Sequence, residues 1–231
     1  MTVLMDFRTP MMSGSPSLGK EAVEALHNQD IPNIEALTLD ITSDKSITAA
    51  YNYIKSAFGH LDVLMHNAGT LGDAALSEPG ANFRSIAKAE FDTNFFSAGQ
   101  VTETFMPLLD ASPWGPRIIF VSSTPSSLTY ASGLSSAYSM AKQPIWRSAK
   151  TALNRLMLYY ASLGREKSKE KEDGKEWKVN STCPGYVATR MNDWKGVGKV
   201  EDGAINAVRL AVLGPDGETG TFSPKEGPLP W

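Results

Sequence analysis

Cysteine is almost missing from this sequence. Cys183 is the only one in 231 residues, so no internal disulfide can form and no thiolate-rich metal centre can be built. His27, His60 and His66 are the only histidines and share no metal-ligand spacing, which points to solvated or packing roles rather than to a metal site. A basic surplus is missing too. The net charge of −3, from 22 Lys and Arg against 25 Asp and Glu, argues against nucleic acid or an anionic membrane as the main partner. No apolar run approaches the roughly 18 residues of a membrane span, and Asp6 and Arg8 stand where a secretory leader would carry its apolar core. These absences predict a soluble, cytoplasmic protein whose partner is a small molecule, with no role for nucleic acid or membrane.

What is present is regular alternation. With 42% hydrophobic residues the chain can bury one sizeable core, and a single domain is expected. Ile34 to Leu39 reads as a strand. Ile47, Tyr51, Ile54 and Phe58 then share one helical face, with Gly59 as a C-cap. Leu61 to Met65 and Arg117 to Val121 are short apolar runs suited to buried strands, separated by a long helical stretch from Phe91 to Leu109. Ala149, Leu153, Leu156, Tyr160 and Leu163 repeat at helical spacing, and the mixed-charge run from Arg165 to Lys178 reads as a solvated helix end and loop. A strand from Val179, a helix from Asp202 to Leu213 and a short strand from Gly220 to Phe222 complete the pattern. Strand and helix in alternation predict βαβ units around a parallel sheet.

Several motifs sit at the ends of those strands. HNAG (His66 to Gly69) follows the strand LDVLM, and around it lie LDIT at Leu39 to Thr42, Asn94 in FDTNFF, IIFVSS ending at Ser123, Lys150 in RSAKTALN, and PGYVAT at Pro184 to Thr189. In this order they resemble the signature of the short-chain dehydrogenases/reductases, the carbonyl-reductase-like members in particular. The likeness is closest over 31–231, with 1–30 as a remnant of the cofactor-binding half of one domain spanning 1–231.

The resemblance implies a Rossmann-like, doubly wound α/β fold and an NADP(H)-dependent oxidoreductase. Carried over residue by residue, it places Asp40 near the adenine, Asn67 near the adenosine ribose, and Val187 and Thr189 near the nicotinamide amide. Lys150 would hold the nicotinamide ribose, Asn94 would anchor a water of the proton relay, and Ser123 would hydrogen-bond a substrate carbonyl. It also implies a homodimer or homotetramer, with Tyr159 and Tyr160 in the interface or in the core.

Two departures stand out. In that family a tyrosine four residues before the lysine donates the proton, its pKa lowered by the adjacent cation. Here Trp146 holds the position. An indole N–H can donate a hydrogen bond but does not titrate in the working range. Tyr138, four residues before Lys142 in YSMAK, offers a second Tyr–Lys pair, but Pro144 would break the helix needed to hold it. Tyr138 could still reach the site from a loop.

The second departure is the missing glycine-rich turn that would receive the pyrophosphate at a helix N-terminus. The preferred register takes Thr2 to Phe7 as the family's second strand, with Arg8 after it as a candidate ligand for the ribose 2′-phosphate. SLGKEAVEAL then becomes the next helix. The first βα unit is absent in that register.

The expected function is reduction of a carbonyl or oxidation of an alcohol in a small, largely apolar molecule. A non-redox isomerase or cyclase, or a non-catalytic protein on the same fold, is the alternative.

Overall fold

The computed structural model describes residues 9–133, 136–138, 142–170 and 175–231, without the side chains of 9–13. Strand β1 (Thr9–Ser13) leads into α1 (Pro16–His27), then β2 (Ile34–Thr38) and α2 (Asp44–Ala57). After β3 (Val63–His66), a 3-10 turn at Asp73–Ser77 precedes α3 (Phe83–Phe91), a π-helical turn at Asp92–Phe96 and α4 (Ser97–Asp110). Next come β4 (Arg117–Val121), a short α5 (Leu128–Ser132), the long α6 (Pro144–Glu170) and β5 (Lys178–Thr182). Helix α7 (Val200–Ala211) and β6 (Phe222–Ser223) end the order.

Local chemistry sets these boundaries. Ser15, Ser43 and Asn82 each accept a backbone N–H from the first turn of the helix that follows, which satisfies donors the helix itself cannot. Gly59 ends α2 at φ +77°, where a side chain would be strained. Its N–H returns to the carbonyls of Ile54 and Lys55. Pro144 opens α6 rather than breaking a helix, because the first turn needs no N–H there. Tyr138 and Lys142 therefore share no helix, and Trp146 and Lys150 lie one turn apart on α6.

All the strand pairs among the described residues are parallel: β1 with β2, and β3, β4, β5 and β6 in that order. Parallel strands are covered on both faces. Leu64, Ile118 and Phe120 alternate toward α2, α4 and α6, where Ile54, Phe105, Leu109, Met157 and Tyr160 complete one core. Val63, Met65 and Ile119 point the other way, against Ala207, Leu210 and Ala211 of α7. Full burial of a side chain such as Phe105 stabilises by about 1.5–3 kcal/mol. Arg117 is buried at the start of β4. It donates to the carbonyls of Leu213, Trp114 and Gly115, which ties the strand to the end of α7, and burial lowers its pKa.

The α/β class and the parallel sheet are as expected, with three differences in detail. The long helix over Phe91 to Leu109 is divided, a π-helical turn carrying Asn94 between α3 and α4. The charged run is helical through Glu170, and its last residue, Lys178, is buried at the start of β5. The strand paired with β2 is Thr9–Ser13. The expected strand over Thr2 to Phe7 and the candidate ligand Arg8 lie outside the described residues. Among the described residues no strand joins the β1–β2 pair to β3.

Candidate active site

The LDIT, HNAG, IIFVSS and PGYVAT motifs end at or just beyond the carboxyl ends of β2, β3, β4 and β5, the edge at which parallel α/β sheets bind ligands. A cleft of about 400 Å3 opens there, lined by Gly14 after β1, by Asp40 to Thr42 after β2, and by His66 to Gly69 at and after β3. Thr93, Ser97, Ala98 and Val101 close its far side. Asp40 is exposed. Its carboxylate accepts from the Thr42 hydroxyl at 2.7 Å and the Thr42 N–H at 2.9 Å, and these bonds, the hydroxyl first, hold its pKa below the usual value. Asn67 is exposed beside it.

His66 stacks on Phe120 with ring centroids 4.7 Å apart and meets the Thr102 hydroxyl at 2.8 Å. Burial, and to a lesser degree the charge of Lys150, push its pKa down to about 3. The ring is neutral at physiological pH.

Asn94 and Lys150 converge on Gly69. A Cβ on Gly69 would lie 2.8 Å from Asn94 Oδ1 and 3.4 Å from Lys150 Nζ, with the Met191 methyl at 3.8 Å. The Asn94 amide donates to the carbonyls of Thr70 and Glu90, each at 3.0 Å. Its oxygen accepts the Thr70 N–H at 3.3 Å. The π-helical turn gives Asn94 this orientation while α3 and α4 continue on either side. Lys150 donates to the Val121 carbonyl at 2.9 Å. Burial lowers its pKa to about 8, opposed by the charge of Glu90.

Trp146 is half-buried one turn before Lys150, and its indole Nε1 is buried without a hydrogen-bond partner. The buried Asp73 fixes this end of α6: its two oxygens accept the Ile145 and Trp146 N–H groups, both at 2.9 Å. Ser123 is half-buried after β4, its carbonyl accepting from the Ser126 N–H and hydroxyl. The side chain of Ser122 points elsewhere, toward Ser126 and the Lys150 carbonyl.

The remaining candidates are less close-knit. Tyr138 lies in a turn with its ring stacked on Tyr130 at 5.8 Å, and its carbonyl accepts from Arg147 at 2.8 Å. Among the described residues no hydrogen bond joins it to Lys150, which donates to Val121. Val187 and Thr189 lie in the loop after β5, where Asn192 donates to the Val187 carbonyl and accepts the Thr189 N–H. Among the described residues no cluster of His, Cys, Asp or Glu could hold a metal ion, and no described helix is long and apolar enough to cross a membrane.

Sequence reasoning missed Asp73 and Glu90. Nothing in the sequence links Asp73 to Trp146, because the contact exists only once α6 docks. Glu90 carried a usable signal, since it stands one helical turn before Asn94.

Residues 2–197 match the short chain dehydrogenase family. The chain belongs to this family. A short-chain dehydrogenase/reductase of Stachybotrys chlorohalonatus is 36% identical over 227 residues, covering 93% of this chain and 77% of the relative. The (+)-neomenthol dehydrogenase of Arabidopsis thaliana is 32% identical, covering 89% and 83%. Among solved structures, salutaridine reductase from Papaver somniferum superposes with a TM-score of 0.75 at 25% identity, over 93% of this chain and 90% of that one. An NADPH-bound carbonyl reductase from chicken fatty liver shares the fold, with a TM-score of 0.76 at 19% identity, over 97% and 88%. NADP-type oxidoreduction of small molecules is the chemistry that this short-chain dehydrogenase membership carries.

The cleft beside Asp40 and Asn67 has the polar rim and apolar floor of a nucleoside site and fits the adenosine end of a nicotinamide cofactor. At Gly69 the missing Cβ is what lets Asn94 Oδ1 and Lys150 Nζ approach the backbone so closely. Among the described residues no glycine-rich turn opens a helix beside the cleft.

Proposed function

We propose that this short-chain dehydrogenase is a cytoplasmic NADP(H)-dependent oxidoreductase, with 1–231 as its single domain, that reduces a carbonyl or oxidises an alcohol in a small, largely apolar molecule. The convergence of Asn94 and Lys150 on Gly69 at the mouth of the cleft carries this proposal. Asp40 would border the adenine, Asn67 the adenosine ribose and Arg8 the 2′-phosphate. Lys150 would hold the nicotinamide ribose, with Val187 and Thr189 at the carboxamide. When bound, the cofactor supplies the hydride.

The protein's own task is to orient the carbonyl and manage its proton. Ser123, at the end of β4, donates to the carbonyl oxygen and polarises it. The Trp146 indole N–H, buried and without a partner, gives a second donor that orients the oxygen without protonating it. Tyr138 would have to leave its stack on Tyr130 to donate a proton. Asn94 anchors water between Lys150 and solvent. The relatives named for neomenthol and salutaridine support an apolar substrate.

NADPH binding by calorimetry and steady-state NADPH oxidation with a panel of ketones and aldehydes test the proposal. Binding together with turnover of an apolar carbonyl is expected, and absence of both overturns it. Trp146 in the tyrosine position favours a second reading, a non-redox isomerase or cyclase or a non-catalytic binder. Conversion of a substrate without nicotinamide would single out the isomerase or cyclase. A homodimer or homotetramer, in which the exposed Tyr159 takes part, is tested by light scattering.

A further inference from the structure

Glu90 has no role in the family resemblance, yet it is built into the site. It lies on the last turn of α3 at 2% exposure. Its backbone carbonyl accepts the Asn94 amide, and its Oε2 accepts the Gly72 N–H at 2.8 Å. The fit is close: a Cβ on Gly72 would come within 3.0 Å of that oxygen. The other oxygen, Oε1, is buried with no hydrogen-bond partner. A buried carboxylate with a bare oxygen is costly unless an opposite charge lies nearby.

The nearby opposite charge is Lys150. Helices α3 and α6 pack together, and the lysine, 5% exposed, has the Val121 carbonyl as its hydrogen-bond acceptor. Two other titratable groups face this pair. Asp73, on the turn before α3, accepts the first N–H groups of α6 with both oxygens, and its like charge adds to burial in raising the Glu90 pKa. His66, at the end of β3, is neutral.

We infer that Glu90 is the through-space counter-ion of Lys150, a positioning residue that keeps the lysine an ammonium with N–H groups free to grip a ribose hydroxyl. The ribose contact rests on the cofactor reading above; the charge pair does not. Burial pushes Lys150 down to about 8, burial and then the like charge of Asp73 push Glu90 up, and each charge of the pair opposes the shift of the other.

Lysine-selective NMR titration of the full chain tests the pair. Glu90→Gln keeps an acceptor for the Gly72 N–H while removing the charge, and the Lys150 midpoint should fall by at least about half a pH unit. Coupling is reciprocal, so Lys150→Met should raise the Glu90 carboxyl midpoint by the same amount. An unmoved midpoint in either folded variant overturns the pair. NADPH binding to Glu90→Gln should be about twofold weaker or more at pH 8, as the ammonium fraction drops, with the difference gone at pH 6. If the unsubstituted protein binds no NADPH, the cofactor reading fails while the two titrations still decide the charge pair.

Discussion

Asn94 Oδ1 sits 2.8 Å from the point where a Cβ on Gly69 would be, so the asparagine occupies the space that a larger residue would need. The neighbour on that side is an amide fixed by hydrogen bonds to Thr70 and Glu90, not the free end of a flexible chain. Gly69→Ala should therefore displace Asn94 or the strand end, at a cost of about 1–3 kcal/mol as in other overpacked sites. Urea unfolding measures the loss, and NADPH affinity should fall with it.

Trp146→Tyr would place a phenol one turn before Lys150, which donates to Val121 nearby. If the missing proton donor limits turnover, carbonyl reduction should rise by about 100-fold or more, the usual worth of a positioned acid. NADPH oxidation by the two proteins decides it; equal rates would show that the proton comes from elsewhere.

Removing Asp73 should loosen the start of α6. Asp73→Ala leaves the Ile145 and Trp146 N–H groups without their acceptor, a cap loss worth about 0.5–2 kcal/mol. The measurable consequence is a lower urea midpoint together with faster amide exchange at those two residues. Asp73→Asn, which keeps one acceptor, should recover part of both.

Acid should weaken the fold through His66. Its folded pKa of about 3 lies below its ordinary 6.5, so between these values the unfolded chain binds more protons and stability drops as pH falls. The contribution is complete above pH 6.5. Near pH 5 the loss should be about 1–2 kcal/mol. Unfolding of His66→Asn at pH 7 and at pH 5 should show a smaller difference than the parent.

Much of the architecture was legible because its signals are local. The β4 run from Arg117 to Val121 and the helical face of Ile47, Tyr51 and Ile54 were read directly, since burial on one or both faces writes its period into the sequence. The motif residues Asp40, Asn67 and Ser123 were recognisable because each follows closely on an apolar run that reads as a strand. The π-helical turn at Asn94 was not legible, because an extra residue in a helical turn leaves the surrounding period almost intact. Nor was β1 at Thr9 to Ser13, a short stretch with no alternation to mark it.

The sequence by itself determined the α/β class, the family, and an indole rather than a titratable phenol at position 146, all properties of residue type and order. Only the tertiary structure brought Gly69, Asn94, Glu90 and Lys150 together, set Asp73 on the first turn of α6 and left Tyr138 stacked on Tyr130. Those relationships depend on how α3, α6 and the loop after β3 pack against one another. Contacts between residues so far apart in the chain are decided by burial and shape, which no local pattern encodes.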